Sequence, residues 1–115
     1  MRLPNFGDWV TVKKVAPAKD PHYPTGAKGE WVEGAYNPGI TTYIGYEVTG
    51  LLGRDILEGV PMWVDRRTRN GVSAMGSMTT SKVLRIEPIS QGVTRVYTQN
   101  SVYEVTVLPG EPKDG

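Results

Sequence analysis

Three arginines stand within four positions of the chain, directly before an Asn-Gly pair. They are Arg66, Arg67 and Arg69, and Asn70-Gly71 follows them. A guanidinium group forms paired hydrogen bonds with phosphate or carboxylate and stacks on aromatic rings. Asn-Gly fits both central positions of a type I′ turn, where φ must be positive. The pattern therefore predicts a β-hairpin that displays cationic side chains for binding.

Strand alternation sorts the side chains that precede this turn onto two faces. It places Trp63, Asp65, Arg67 and Arg69 on one face and Arg66 on the other. The first face is aromatic and cationic, and it could hold a nucleotide, a nucleic-acid backbone or an acidic protein surface. The alternative is a solvated ribbon in which Asp65 neutralises one neighbouring arginine.

Five more residues in the same half of the chain are candidates for contact with a partner. Tyr97 and Tyr103 flank a Gln-Asn-Ser turn, where a phenol ring could stack on a base or else close the core of a barrel. The amide of Asn100 could read the edge of a ligand, or the residue could shape the turn. Arg85 and Arg95 add positive charge to the strands beside that turn.

Charge is distributed unevenly along the chain. Residues 61–100 carry six basic and two acidic side chains, a net charge of +4, whereas residues 1–60 carry six basic and seven acidic ones. A local excess of this size attracts phosphate-bearing partners, but dedicated DNA-binding domains have a stronger overall bias than this chain's +1. A protein partner is therefore favoured, and nucleic acid or a nucleotide stays open.

The residues needed for catalysis or metal binding are sparse. His22 is the only histidine, it stands in a proline-flanked loop segment, and there is no cysteine. Catalytic groups must be held rigidly, and a metal site built from carboxylates alone normally needs a dense acidic loop. Gly71 and Gly76 have the spacing of a phosphate-binding loop, but the Lys and Ser or Thr of that motif do not follow. We expect no enzymatic activity, no metal and no cofactor.

Strand patterns recur along the chain, and helix patterns hardly occur. Runs rich in β-branched residues predict strands at 8–15, 41–49, 62–69, 72–78, 82–89, 93–98 and 102–108. Residues 16–40 hold so many prolines and glycines that they predict a long loop, and residues 51–59 fit a short helix or a loop.

These elements predict an all-β fold, a small SH3-like or related barrel of about six strands with the Pro/Gly-rich loop after its first strand. The expected domain covers residues 1–108, with a frayed tail at 109–115. The chain has 115 residues, no cysteine and no long apolar run. We therefore expect one domain that needs no disulfides, no membrane and no oxidising compartment.

The second half of the chain, roughly residues 59–108, resembles small β-rich proteins encoded by bacteriophages and related mobile elements. The resemblance is carried by Gly59-Val60-Pro61-Met62, Arg69-Asn70-Gly71-Val72, Thr80-Ser81-Lys82-Val83 and Thr98-Gln99-Asn100-Ser101-Val102-Tyr103. The Gly-Asp-Trp-Val-Thr-Val opening at Gly7 is similar to the start of many SH3-like barrels. The resemblance implies a phage origin and a β-rich fold, and it brings no catalytic residues.

The expected function is that of a non-enzymatic accessory protein of phage type. It would engage a host or virion macromolecule, in the host cytoplasm or in the virion, through the basic hairpin and the loop at 16–40. One alternative is an oligomer that sequesters a signalling nucleotide with its arginines and tyrosines, as an anti-defence protein would. Another is a structural component of the virion, whose strand edges become ordered on assembly.

Overall fold

The computed structural model describes residues 3–17, 45–99 and 101–112, and within these ranges it contains strands and no helix. The strands are β1 (Trp9–Pro17), β2 (Glu47–Leu52), β3 (Pro61–Arg69), β4 (Val72–Ser90), β5 (Val93–Thr98) and β6 (Ser101–Val107). Consecutive strands pair antiparallel, and β6 returns to pair with β1, so that the sheet closes into a ring. The predicted all-β fold of about six strands is confirmed.

The core lies inside the ring and consists mostly of valines. Strand alternation turns every second residue inward, and six valines are completely buried there: Val10, Val12, Val48, Val64, Val96 and Val105. Leu52, Met62 and Ile56 fill one part of the interior, the last of them from the connection between β2 and β3. Burial of such side chains contributes about 1.5–3 kcal/mol each to folding.

The Asn-Gly turn has the predicted geometry. Asn70 and Gly71 have φ values of 52° and 82°, both positive as a type I′ turn requires. The Asn70 amide donates to the Glu47 carbonyl at 2.7 Å, and the Glu47 amide donates to Asn70 Oδ1 at 2.9 Å. The turn is thus fastened to the start of β2 as well as joining β3 to β4.

The predicted boundaries of two strands are wrong. β4 is one strand of nineteen residues where separate strands at 72–78 and 82–89 were expected. The Thr-Thr-Ser segment between these two stretches, residues 79–81, remains part of the strand. Thr80 is buried there, and its Oγ1 accepts a hydrogen bond from the Met62 amide at 3.0 Å. The strand predicted to end at 49 continues through Leu52, and of the short helix or loop expected at 51–59 the structure has the loop, from residue 53 onward.

The predicted loop at 16–40 lies outside the described residues, apart from positions 16 and 17, which end β1. In the part of the chain that the structure describes, no helix has the length and apolar character needed to cross a bilayer.

Candidate functional site

A β-bulge at Arg67 determines where the three hairpin arginines point. On the β2 side, Arg66 pairs with Gly50 and Arg69 pairs with Val48, and Arg67 is left out of the register. Residues directly opposite each other in a ladder share a face, and Val48 points into the ring. Arg66 and Arg69 therefore lie on the inner side and Arg67 on the outer side. The predicted common face of Arg67 and Arg69 is wrong.

The Arg66 side chain forms hydrogen bonds within the protein, mainly to the hairpin itself. Its Nε donates to the Ala74 carbonyl at 2.6 Å, and its Nη1 donates to the Tyr46 hydroxyl at 3.4 Å. These neutral partners tie the irregular start of β4 to β3 and to the residue before β2. Arg66 thus stabilises the hairpin, whereas Arg69 is exposed beside the turn.

The outer surface of β1 to β3 carries two arginines that lie over two tryptophans. The Arg67 guanidinium is 5.7 Å from the Trp9 ring centre, and the Arg54 guanidinium is 5.6 Å from the Trp63 ring centre. We call Trp9, Arg54, Trp63, Asp65 and Arg67 the aromatic-cationic face. Each stacked pair contributes about 0.5–1 kcal/mol at an exposed site and fixes the direction of its guanidinium.

The Trp63 ring is held against the backbone of the β2 end. The backbone carbonyl of Trp63 accepts a hydrogen bond from the Gly53 amide at 2.8 Å. A Cβ added to Gly53 would lie 2.5 Å from the indole ring of Trp63. Glycine is thus what lets the indole lie flat at this place. With 37% of its surface exposed, Trp63 remains available for stacking.

One carboxylate lies within the aromatic-cationic face. Asp65 is 3.4 Å from Arg67, and the two side chains are 48% and 39% exposed. An ion pair this exposed contributes about 0–1 kcal/mol, so a partner can replace it at little cost. Two guanidinium groups against one carboxylate leave the face positive, with flat aromatic surface beside each charge.

A second cluster lies on the outer surface of β4 to β6. It consists of Arg85, Glu87, Arg95, Tyr97 and Glu104, which we call the charge network. Arg85 forms an ion pair with Glu87 and its guanidinium lies 4.4 Å from the centre of the Tyr97 ring. Arg95 donates to Glu104 at 3.0 Å. The two positive and two negative groups neutralise one another.

Two groups of the charge network have shifted pKa values. The hydrogen bond from the Tyr97 hydroxyl to Glu87, 3.0 Å long, is the largest cause that holds the pKa of Glu87 below its ordinary value. Loss of water around Glu87 acts the other way, and Arg85 and Arg95 reinforce the lowering. The hydrogen bond to Glu104 is the largest cause that raises the pKa of Arg95.

Tyr97→Phe is expected to raise the pKa of Glu87 toward its ordinary value, because it removes the hydroxyl and keeps the ring under Arg85. Carbon-13 NMR titration of the side-chain carboxyl groups measures this change. Thr49→Ser, on β2, is the control and should leave the Glu87 titration as in the wild type. An unchanged Glu87 pKa in Tyr97→Phe would show that the hydroxyl bond is not formed in solution.

A shallow cleft of about 310 Å³ adjoins the charge network. Val15, Ala16 and Val102 line its apolar part, and Arg95, Tyr97 and Glu104 its polar part. Its size suits a small ring or one large side chain. The Glu104 carboxylate at the rim of the cleft disfavours binding of a phosphate group, because like charges repel each other.

Of the last two predicted partner-binding residues, the structure describes Tyr103, which lies on neither of these faces. Tyr103 points into the interior of the closed sheet, is 4% exposed, and lies opposite Val96 and Lys14 in the ladder. This is the core position that the sequence left open as the alternative to partner binding. Asn100 lies outside the described residues.

Lys14 is fully buried on the inner side of β1, and this burial lowers the pKa of its ammonium group to about 8.

Sequence reasoning missed Trp9, Arg54, Glu87 and Glu104. For Trp9 a signal existed, because the inward positions Val10 and Val12 require their neighbour Trp9 to point outward. Its position beside Arg67 depends on how β1, β2 and β3 pair, and no local pattern specifies that. Arg54 follows β2 in a loop and has no sequence signal.

No three His, Asp or Glu side chains in residues 3–17, 45–99 and 101–112 come close enough together to hold a metal ion. Searches with protein-family models, among curated proteins and among solved structures find no match to this chain.

Proposed function

We propose that this chain is a non-enzymatic accessory binding protein of phage type that engages a host or virion protein through the aromatic-cationic face. We also infer that its closed ring is a small barrel of the SH3-like or a related kind. A fold of this class is compatible with many functions, so the proposal depends on the surface and not on the barrel.

The observation that carries the proposal is the pair of stacked arginines, Arg67 over Trp9 and Arg54 over Trp63. Trp and Arg are the residue types that most often dominate binding energy in protein interfaces. Stacking also fixes the guanidinium groups before a partner arrives, so less conformational entropy is lost on binding.

The balance of charge favours an acidic protein surface over a polyanion. Arg66 is turned into the hairpin, and Arg85 and Arg95 are matched by Glu87 and Glu104. Nucleic-acid affinity grows with the number of phosphates that Lys and Arg neutralise. The hairpin and its surroundings therefore offer fewer available cations than the sequence suggested.

Replacing Trp63 and Arg67 together by alanine is expected to weaken partner binding strongly, because it removes the ring of one stacked pair and the charge of the other. The loss should exceed about 2 kcal/mol, the usual effect of an interface hot spot, which is about thirtyfold in affinity. The measurement is quantitative mass spectrometry of proteins captured from a host lysate on the immobilised chain, followed by titration of the enriched protein.

Arg85→Ala is the matched control, since it removes a stacked arginine from the charge network on another part of the ring. It should retain the partner. Thermal melts of both variants show whether they are folded. A partner that stays bound to the folded double variant, or that is lost equally from Arg85→Ala, would exclude this face as the contact surface.

The cleft beside Tyr97 and Arg95 supports a second candidate, sequestration of a small signalling nucleotide. A ring could stack at Tyr97 while Arg95 binds a phosphate in place of Glu104. A ligand that binds only the folded protein stabilises it by about 2.7 kcal/mol at one hundred times its dissociation constant. A thermal-shift screen of nucleotides with no response would exclude this function.

A further inference from the structure

β4 extends beyond both of its neighbours. Its first half, residues 72–82, pairs with β3, and its second half, residues 83–90, pairs with β5. Along residues 72–80, no strand among the described residues pairs with the edge that faces away from β3. An unpaired edge of this kind presents backbone donors and acceptors that can bind another strand.

The direction of the backbone groups follows from one hydrogen bond on the neighbouring strand. The Trp63 carbonyl accepts a hydrogen bond from the Gly53 amide, on the side of β3 that faces β2. Backbone groups alternate sides along a strand, so Val64 bonds toward β4, where its register partner is Met78.

The same alternation holds along β4. Met78 points its amide and carbonyl to β3, so the amides and carbonyls of Ser77 and Thr79 point to the open edge. The side chains of Ser77 and Thr79 are exposed on the outer surface, whereas Met78 is buried in the core. A second strand could therefore pair at 77–79 without disturbing the β3 ladder.

The two halves of β4 differ in how they are protected against pairing. Natural edge strands are blunted by charged residues and proline. The second half carries Arg85, Glu87 and Pro88, whereas residues 72–81 contain neither charge nor proline. Near the hairpin tip, Val72 and Met75 are 68% and 64% exposed, so apolar surface adjoins the unprotected edge.

We infer that this open edge, residues 72–80 of β4, pairs antiparallel with the same edge of a second copy. An uncharged edge can meet itself without like-charge repulsion, and an antiparallel pair related by a twofold axis uses the same surface on both copies. Such pairing consumes the edge of each copy, so that assembly stops at a dimer. The aromatic-cationic face lies on β1 to β3 and stays exposed in it.

The test compares two lysine substitutions by sedimentation equilibrium over a concentration series. Thr79→Lys places a charge on the open edge of each copy and should raise the dimer dissociation constant more than about tenfold. Thr106→Lys is the matched control, because Thr106 faces outward on β6, which is paired on both sides. It should dimerise as the wild type does.

Circular dichroism and thermal melts establish that each variant is folded, and Ser77→Lys gives a second edge variant if Thr79→Lys is not. A wild-type monomer at every concentration would overturn the inference. So would dimers that persist in the folded edge variants, or that are lost equally in Thr106→Lys. Binding of a different protein at this edge, with no dimer, would overturn the choice of a second copy.

Discussion

Gly50→Ala is expected to destabilise the protein by about 3 kcal/mol, at the upper end of the cost of overpacking a core. A Cβ at this position would lie 2.1 Å from the Asp65 carbonyl oxygen and 3.0 Å from the Arg66 Cα. Both are backbone atoms of β3, so no rotation of a side chain can relieve the contact. Urea unfolding followed by tryptophan fluorescence measures the change in the free energy of unfolding.

Gly110→Ala is the control, since no heavy atom lies within 4 Å of the Cβ it would add. Its free energy of unfolding should stay within about 0.5 kcal/mol of the wild type. If Gly50→Ala unfolded at the wild-type urea concentration, then β2 and β3 would not approach this closely at the bulge. The assignment of Arg67 to the outer face would then be wrong as well.

Raising the pH from 7 to 9.5 is expected to stabilise the wild type by about 2 kcal/mol relative to Lys14→Met. Burial lowers the pKa of Lys14 to about 8 in the folded protein, below the 10.5 of an unfolded chain. Below pH 8 the ammonium is charged in both states. Between these pKa values the folded protein has released a proton that the unfolded chain still binds, so stability rises with pH.

Lys14→Met keeps a long side chain at this buried position and removes the titrating group, so other pH effects cancel in the comparison. Urea unfolding of both proteins at several pH values gives the difference in the free energy of unfolding. Parallel pH profiles for the two proteins would mean that the Lys14 amine is hydrated in solution and that β1 is more open than its register indicates.

Local patterns predicted the strands and the turn, because their causes are local. Asn70-Gly71 has the two positive φ values that its side chains favour, and Val10 and Val12 point inward as alternation requires. The continuity of β4 was not predicted, since Thr80 stays in the strand through a hydrogen bond to Met62, a residue of another strand.

The candidate site was predicted only in part, for a physical reason. One extra residue in a strand reverses which face every later side chain occupies, and the bulge at Arg67 does this to Arg69. The bulge depends on the pairing with β2, and Gly50 on that strand comes close enough to accommodate it. The stacking of Arg67 on Trp9 joins residues far apart in sequence, which periodicity does not detect.

The pairing of β1 with β6 makes the first strand of the ring depend on the last. Val10 lies opposite Val107, and the Leu108 amide donates to the Trp9 carbonyl at 2.8 Å. On a ribosome, β1 therefore lacks one of its two partner strands until residues 101–107 have been synthesised. Topologies dominated by such distant contacts fold in milliseconds to seconds and not in microseconds. During that interval the emerging chain exposes valine-rich strands whose backbone groups lack a partner strand. Such strands are prone to aggregate, and chaperones bind chains in this state.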